Sequence, residues 1–324
     1  MGDVAVIGAG RIGAIHARNL AAMPGVRVVG ITDPDPVAAR RLADACQSSV
    51  MPLESAFGAA AVVIASPTPT HAEYVERAAA AGCAVFCEKP VDLDAGRVRA
   101  SLAAAARAGI LLMVGFNRRF DPSFAALHES IADGRIGRLE LLSITSRDPA
   151  PPPAAYIRVS GGLFRDMTIH DFDMARFLLG EEPVAVHAAG SALLDEVREA
   201  GDIDTAAVTL RTASGRIATI TNSRRASYGY DQRIEAHGSA GMMAAGNRTA
   251  TSLTFADKHG YRTDPALPFF LERYADAYRS EMATFLAAID GREANYPTGE
   301  DGLRALLIAD AALESSRTGR EVAL

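Results

Sequence analysis

The segment GAGRIG at residues 8–13 constrains the fold of this 324-residue chain more than any other feature. It matches the pattern G-x-G-x-x-G, follows an apolar run (4–7) that predicts a strand, and opens a stretch that predicts a helix. In that context the glycines allow a tight turn and let a pyrophosphate approach the helix N-terminus, where free N–H groups favour negative charge. The motif therefore predicts a dinucleotide-binding unit, with a plain strand-to-helix turn as the alternative.

The first 120 residues alternate between short apolar runs and alanine-rich stretches. Runs that are apolar on both faces are typical of parallel strands covered by helices, and they lie at 4–7, 26–31, 61–65, 84–87 and 110–114. Helical stretches separate them, at 12–23, 36–45, 70–81 and 95–108. This alternation predicts an N-terminal Rossmann domain over residues 1–120, an α/β fold with a doubly wound parallel sheet.

The remainder of the chain, 121–324, has a different pattern. Longer runs predict strands, with no helix between the last three, at 139–146, 184–189, 205–211, 216–222 and 232–236. Helices are predicted at 166–179, 273–289 and 302–315, and a hairpin turn at 212–215. These features indicate a C-terminal α+β domain with an open, mostly antiparallel sheet, whose last helix could pack back on the first domain.

Composition excludes several classes of partner. The formal net charge is −6 and no basic block is present, so we expect binding neither to nucleic acid nor to a membrane surface. No apolar run reaches the length of about 18 residues that a membrane helix needs. Three cysteines without an export signal are read as reduced thiols rather than zinc ligands, which favours the cytoplasm.

Asp33 closes the second predicted strand, twenty residues after Gly13. A carboxylate at this position can accept both hydroxyls of the adenosine ribose and repels a 2′-phosphate, so it favours NAD over NADP. A surface aspartate is the alternative. Ser66 and Thr68 follow the third apolar run and lie at the carboxyl end of a strand, beside the expected ligand crevice. We interpret the neighbouring His71 as a capping or packing residue rather than a catalytic one.

Glu88, Lys89 and Pro90 follow the fourth apolar run. A lysine at the end of an internal strand would lie beside the nicotinamide, where its cation could stabilise an alkoxide. The X-Pro bond also permits a cis peptide. The alternative is a solvated lysine at the end of a strand.

The densest group of polar residues lies at 166–176, within an apolar helical stripe. Asp166 and His170 are i and i+4 on the predicted helix and share one face. A carboxylate beside an imidazole orients it and raises its basicity, as a general base requires. An acidic N-terminal cap with a core histidine is one alternative, and a metal site formed by His170 with Asp166, Asp171 or Asp173 is another.

Taken together, these segments resemble the glucose-fructose oxidoreductase/inositol dehydrogenase (Gfo/Idh/MocA) family, and within it the bacterial inositol 2-dehydrogenases. The resemblance spans nearly the whole chain and rests on the order and spacing of GAGRIG, Asp33, CEKP, GFNRRFDPSF, GGLFRDMTIHDFDMARFLLG and the closing YPTGEDGLRALLIADAALES.

The resemblance implies roles for individual residues. Lys89 corresponds to the active-site lysine of the family, and Asp166 and His170 to its D-x-x-x-H pair. Asn117, Asp148 and Tyr230 are implied as substrate contacts, together with those three. The implied cofactor contacts are Gly8, Gly10, Arg11, Ile12, Gly13, Asp33, Ser66, Thr68, Glu88 and Lys89. No metal is expected, because Lys89 supplies the positive charge.

The implied activity is NAD-dependent oxidation of a ring secondary alcohol, with myo-inositol giving 2-keto-myo-inositol (scyllo-inosose). The same chemistry on scyllo-inositol or on a pyranose such as glucose is the first alternative, and a non-catalytic NAD- and sugar-binding sensor is the second. The resemblance also implies a homo-oligomer formed through the open sheet face, a tetramer in preference to a dimer.

Overall fold

The computed structural model describes residues 2–324. This part of the chain forms two compact units, each built from two segments. The first unit comprises the residues through Asn117 and then Ala277–Leu306; the second comprises Arg118–Asp276 and Leu307–Leu324. The sequence predicts a domain boundary at residue 120. This lies close to Asn117 and Arg118, between which the chain first passes from the first unit to the second. The extents of the domains as independent folding units remain a prediction.

A five-stranded, wholly parallel sheet forms the centre of the first unit, in the order β2-β1-β3-β4-β5. Its strands are β1 (Asp3–Ile7), β2 (Arg27–Thr32), β3 (Ala61–Ile64), β4 (Ala84–Glu88) and β5 (Leu112–Gly115). Nearly all of their side chains are buried, which explains the continuous apolar runs in the sequence. The strand order reverses between β1 and β3, and a parallel sheet binds its ligand at such a point.

Helices connect these strands, at α1 (Arg11–Ala21), α2 (Pro36–Ala45), α3 (Leu53–Ala56), α4 (His71–Ala81) and α5 (Ala95–Ala108). The ends of α4 and α5 follow the glycine signals: Gly82 and Gly109 adopt the left-handed conformation, with φ of 70° and 66°. Asp94 caps α5 by accepting a hydrogen bond from the backbone N–H of Arg97. The predicted Rossmann architecture is confirmed.

The second unit contains a seven-stranded mixed sheet in the order β11-β10-β6-β9-β8-β7-β14. Its strands are β6 (Leu139–Arg147), β7 (Pro183–Ser191), β8 (Thr205–Thr212), β9 (Ile217–Ser223), β10 (Asp231–Gly238), β11 (Gly241–Ala245) and β14 (Val322–Ala323). All neighbouring pairs are antiparallel except β6 and β9. The mostly antiparallel sheet is therefore confirmed, and so is the β8–β9 hairpin, where Gly215 has φ of 90°.

Burial alternates along these strands, so that one face of the sheet lies in the core and the other is open. A two-stranded hairpin, β12 (Thr254–Asp257) with β13 (Gly260–Thr263), is exposed along its length. The helices of this part of the chain are α6 (Pro122–Ala132), α7 (Ala154–Ile157), α8 (Ile169–Leu179), α9 (Asp195–Glu199) and α10 (Phe270–Arg273).

Two further helices, α11 (Ala275–Ile289) and α12 (Gly299–Thr318), each contribute residues to both units. Within the first unit, the start of α12 packs against β5: a Cβ added at Gly302 would lie 3.3 Å from Val114. The helix predicted at 273–289 is broken at Tyr274 into α10 and α11. Among residues 2–324, no helix combines the length and the apolar character needed to span a bilayer.

Candidate active site

The glycine-rich loop lies between β1 and α1 and leaves little room for side chains. Gly8 has φ of 105°, and a Cβ there would lie 2.5 Å from the carbonyl oxygen of Ala65. A Cβ at Gly13 would collide with the carbonyl oxygen of Gly8. At Gly10 a Cβ would meet nothing within 4 Å, so this residue faces open space. Gly8 and Gly13 thus shape the turn, and Gly10 leaves space in front of the helix.

The N-terminus of α1 has no side-chain cap; Gly10 occupies the N-cap position, followed by Arg11 and Ile12. The backbone N–H groups of this first helical turn can bind an anion. Asp33 lies beside this loop, and its carboxylate accepts hydrogen bonds from the backbone N–H of Ala9 at 2.7 Å and of Asp35 at 2.8 Å. The open cradle and the neighbouring carboxylate fit the pyrophosphate and the adenosine ribose of NAD.

His71 connects two strand-end loops of the first unit. Its ring nitrogens lie 2.7 Å from the carbonyl oxygen of Ser66 and 2.8 Å from that of Pro90. Burial lowers the pKa of His71, and the ring is almost inaccessible to solvent. Ser66 also exchanges a 2.6 Å hydrogen bond with Thr70, beside Thr68. These contacts agree with a packing role for His71.

Glu88 and Lys89 lie at the end of β4, and the Lys89–Pro90 peptide bond is cis. The Glu88 carboxylate is 2.6 Å from Nε2 of His16, a fully buried residue of α1. Its other oxygen accepts a 3.3 Å hydrogen bond from the backbone N–H of Lys89. Sequence reasoning missed His16; its position three residues after Gly13, on the inner face of α1, was the available signal.

Asp166 lies in a π-helical turn, Phe164–Thr168, which runs directly into α8. Between Phe164 and Ala175, the only residues that are not fully buried are Arg165, Asp166 and His170. Asp166 and His170 are thus two of the three partly exposed residues of an otherwise buried stretch, and that they share one face stays a prediction. The sequence did not predict the π turn, a feature that often marks functional sites.

Neighbouring side chains fix the Asp166 carboxylate. The hydroxyl of Tyr156 donates to Oδ1 at 2.9 Å, and Nη2 of Arg224 donates to Oδ2 at 3.3 Å. Arg224 directly follows β9 and its side chain is 1% exposed. Neither partner was predicted from the sequence.

Asp171 and Asp173 form buried ion pairs that anchor α8. Arg118 contacts Asp171 at 2.5 Å, and Arg119 contacts both oxygens of Asp173, at 2.6 and 2.8 Å. Asn222 donates to the second oxygen of Asp171 at 2.8 Å. These contacts give both carboxylates a structural role, which is an alternative to metal binding.

Asp148 follows β6 within the second unit. Burial raises the pKa of Asp148 to about 6, against the opposing effect of Arg224 and Arg118. Tyr230 is buried in an aromatic cluster, with ring centroids 6.0 Å from those of Phe269 and Tyr274.

The structure brings some of the predicted residues together within each unit. The first unit contains the glycine loop, Asp33, the strand-end residues through Lys89, and Asn117, a buried residue that follows β5. The second unit contains Asp148, Asp166, His170 and Tyr230. Their roles remain predictions.

Comparison with known proteins gives matches over both units. Residues 3–116 match the family described as "Oxidoreductase family, NAD-binding Rossmann fold", and residues 124–244 match the "GFO/IDH/MocA C-terminal domain". The chain is 52% identical, over 98% of both chains, to the inositol 2-dehydrogenase of Rhizobium meliloti strain 1021.

Solved structures also match nearly the full length of the chain. A myo-inositol dehydrogenase from Corynebacterium glutamicum superimposes with a TM-score of 0.95 at 47% identity, covering 99% of this chain and 98% of that one. A scyllo-inositol dehydrogenase from Lactobacillus casei, with bound NAD(H) and scyllo-inositol, gives 0.91 at 28% identity, covering 100% and 99%.

Proposed function

The chain belongs to the GFO/IDH/MocA family of NAD-binding oxidoreductases, and on that premise we propose that it is an inositol 2-dehydrogenase. It would oxidise a ring secondary alcohol of myo-inositol to 2-keto-myo-inositol. The observation that carries this proposal is the 52% identity, over 98% of both chains, to an inositol 2-dehydrogenase. The D-x-x-x-H pair and the strand-end lysine supply the residue types that the reaction requires.

The proposed mechanism assigns one task to each of three residues. NAD⁺, bound at the glycine loop and Asp33, supplies the hydride acceptor. His170 removes the hydroxyl proton as general base, and Asp166 orients its ring and stabilises the imidazolium. Lys89 donates a hydrogen bond to the reacting oxygen and stabilises the negative charge that develops there.

Substrate contacts complete the proposal. We assign ring hydroxyls to Asn117, Asp148 and Tyr230, of which Asp148 is the most informative. A carboxyl group with a pKa of about 6 changes from donor to acceptor near neutral pH. Its ionised form accepts from two hydroxyls of a polyol, so we expect the KM for the polyol to fall as pH rises through about 6.

The first experiment is NADH formation, followed by absorbance, with NAD⁺ and each of myo-inositol, scyllo-inositol and glucose. A rate on myo-inositol well above the others supports the proposal. Scyllo-inositol is the second candidate, since a relative with this bound substrate shares the fold at 28% identity. Activity on that isomer alone would keep the chemistry and change the substrate.

His170→Ala tests the mechanism itself. Loss of a general base should reduce kcat by about a hundredfold or more, while NAD⁺ binding, measured by calorimetry, stays at the wild-type value. Wild-type turnover in this variant would disprove the role of His170. NAD⁺ binding without turnover of any polyol by the wild-type protein would favour the sensor alternative.

We further propose a homo-oligomer, a tetramer in preference to a dimer, assembled through the open sheet face. Apolar side chains on strands of this sheet, Leu141 and Ile217, are 37% and 38% exposed, as expected of a face that a second copy covers. Light scattering of the purified protein tests the assembly. A cytoplasmic location is supported by the three cysteines, which are buried, free thiols.

A further inference from the structure

Arg224 is a permanently charged side chain enclosed in the second unit, with 1% of it exposed. A guanidinium does not lose its proton in a protein, so an enclosed arginine requires compensating negative charge. Two carboxylates supply it: Nη2 lies 3.3 Å from Asp166 and 3.7 Å from Asp202. One cation is therefore shared between Asp166, to which we assign a role in the reaction, and Asp202, to which none is assigned.

Asp202 is fixed by the backbone that leads into the π turn. Its Oδ1 accepts a 3.1 Å hydrogen bond from the N–H of Leu163, the residue that directly precedes the turn. Gly162 has φ of 85°, and a Cβ there would lie 2.8 Å from the same oxygen. Only glycine permits this approach without strain. Asp202 thus holds the start of the turn that carries Asp166.

Arg224 is itself fixed by the sheet. It directly follows β9, and its N–H donates to the carbonyl oxygen of Asp204 at 2.8 Å, which extends the β8–β9 pairing by one step. Sheet, arginine and carboxylate thus form a continuous chain of contacts that ends at Asp166. Tyr156 completes the arrangement by donating to the other oxygen of Asp166.

We propose that Arg224 is a positioning residue, which holds the Asp166 carboxylate for His170, and that the summed charge of Arg224, Asp166 and Asp202 sets how strongly the imidazolium is stabilised. The proposal rests on the roles assigned above to Asp166 and His170. It also gives Asp202 an opposing electrostatic effect: Arg224 lowers the basicity of His170, and the negative charge of Asp202 beside Arg224 offsets part of that effect.

The charged and titratable groups around this cluster come from several elements of the second unit. They are Tyr156 on α7, Asp148 after β6, Asp171 on α8, Asp202 before β8, Arg224 after β9, and Arg118 in the turn before α6.

Three substitutions separate charge from position. Arg224→Met leaves the carboxylates uncompensated, so His170 should hold its proton to a pH higher by about 0.5–1 unit. Asp202→Asn keeps the acceptor for Leu163 but removes one negative charge from the cluster, so the shift should be similar in size and opposite in sign. Arg224→Lys keeps the charge and loses the planar fork, so kcat should fall about tenfold with little change in the titration.

The titration of His170 is measured by NMR with NAD⁺ present, its resonance assigned from its loss in His170→Ala. The pH dependence of kcat/KM for myo-inositol is the second readout. Arg225→Met is the matched control: it removes the same charge from the next residue, which is exposed, and should leave both readouts unchanged.

Opposite shifts in Arg224→Met and Asp202→Asn, with none in Arg225→Met, establish the proposal. No shift, or shifts of the same sign, overturns it, since a purely structural arginine would change stability alone. If Arg224→Met does not fold, Asp202→Asn decides by itself. The two proposals are tested by different results. If the titration of His170 does not shift in opposite directions in the two variants, the role of Arg224 is wrong. If His170→Ala turns over at the wild-type rate, the function assigned to His170 is wrong.

Discussion

Glu281 is a buried carboxyl group of the first unit. It lies on α11 with 0% of its surface exposed, and neither carboxyl oxygen has a hydrogen-bond partner among residues 2–324. The same face of the helix packs against α1 and β4, through Tyr278 on His16 and Phe285 on Phe86. Burial, and then repulsion from Glu88, raises the pKa of Glu281 well above its usual range. Folding therefore favours the neutral form of this carboxyl.

The pH dependence that follows has a definite sign. An unfolded glutamate loses its proton near pH 4.3, whereas the folded protein keeps it to higher pH. Below the unfolded pKa both states are protonated and the group has no effect on pH dependence. Above it, the free energy of unfolding falls by about 1.4 kcal/mol for each pH unit, until the folded pKa is passed. Glu281→Gln has no ionisable group at this position, so its free energy of unfolding does not fall in this way. The difference in unfolding free energy between the variant and wild type therefore grows by about 1.4 kcal/mol for each pH unit.

The assay is urea unfolding of wild type and Glu281→Gln at pH 5, 5.5 and 6, at one protein concentration. We expect the gap between their unfolding free energies to widen by about 1.4 kcal/mol over that unit. Glu293→Gln is the control; this glutamate is exposed, and its gap to wild type should stay constant. A constant gap for Glu281→Gln as well would show that Glu281 is ionised in the folded protein, and the argument from burial would be wrong.

Other predictions concern the cofactor loop and the buried ion pairs. Gly10→Ala should leave the unfolding free energy within about 0.5 kcal/mol of wild type. It should weaken NAD⁺ binding, because its Cβ enters the open space before α1. Gly13→Ala should destabilise the protein by about 1–3 kcal/mol, because its Cβ meets the loop backbone. Calorimetry and urea unfolding separate the two effects. Asp33→Ser should raise the Kd for NAD⁺ and reduce discrimination against NADP⁺, and an unchanged ratio of the two Kd values would disprove its role. Arg119→Met leaves the buried Asp173 carboxylate with the more distant Arg176, at 3.9 Å, and should cost about 3 kcal/mol. Arg138→Met, at an exposed pair, should cost less than about 1 kcal/mol in the same unfolding assay.

Local patterns predicted much of the fold. The parallel strands are apolar on both faces because helices cover both, and that burial is visible in the sequence as continuous runs such as 61–65. Glycine at 82 and 109 marks helix ends because each adopts a left-handed conformation there. The parallel pairing of β6 with β9 was not predicted, since it joins strands far apart in the chain and leaves no periodic signal.

Irregular backbone was also missed. The helix predicted from residue 166 begins as an α-helix only at Ile169, after the π turn. Thr168 contributes to this geometry: its hydroxyl lies 3.4 Å from the carbonyl oxygen of Leu163 and 2.8 Å from Oδ1 of Asn222, a residue on β9. A turn that depends on a partner 54 residues away has no local signature.

In the candidate site too, some residues could be predicted from the local sequence and others depend on partners far away in the chain. Residues that would touch ligand, such as Lys89 and His170, lie at strand ends or on a helix face whose position the local pattern reveals. The residues that contact Glu88 and Asp166 lie far away in sequence: His16 is 72 residues from Glu88, and Arg224 is 58 from Asp166. Those supports are buried charges and imidazoles, costly to place without a partner, so their pairing is determined by the tertiary fold rather than by the neighbouring residues. Ligand contacts can therefore be transferred between related chains from short motifs, whereas the groups that tune their charge must be read from a structure, and it is among those groups that members of this family sharing the same motifs can differ in pH dependence.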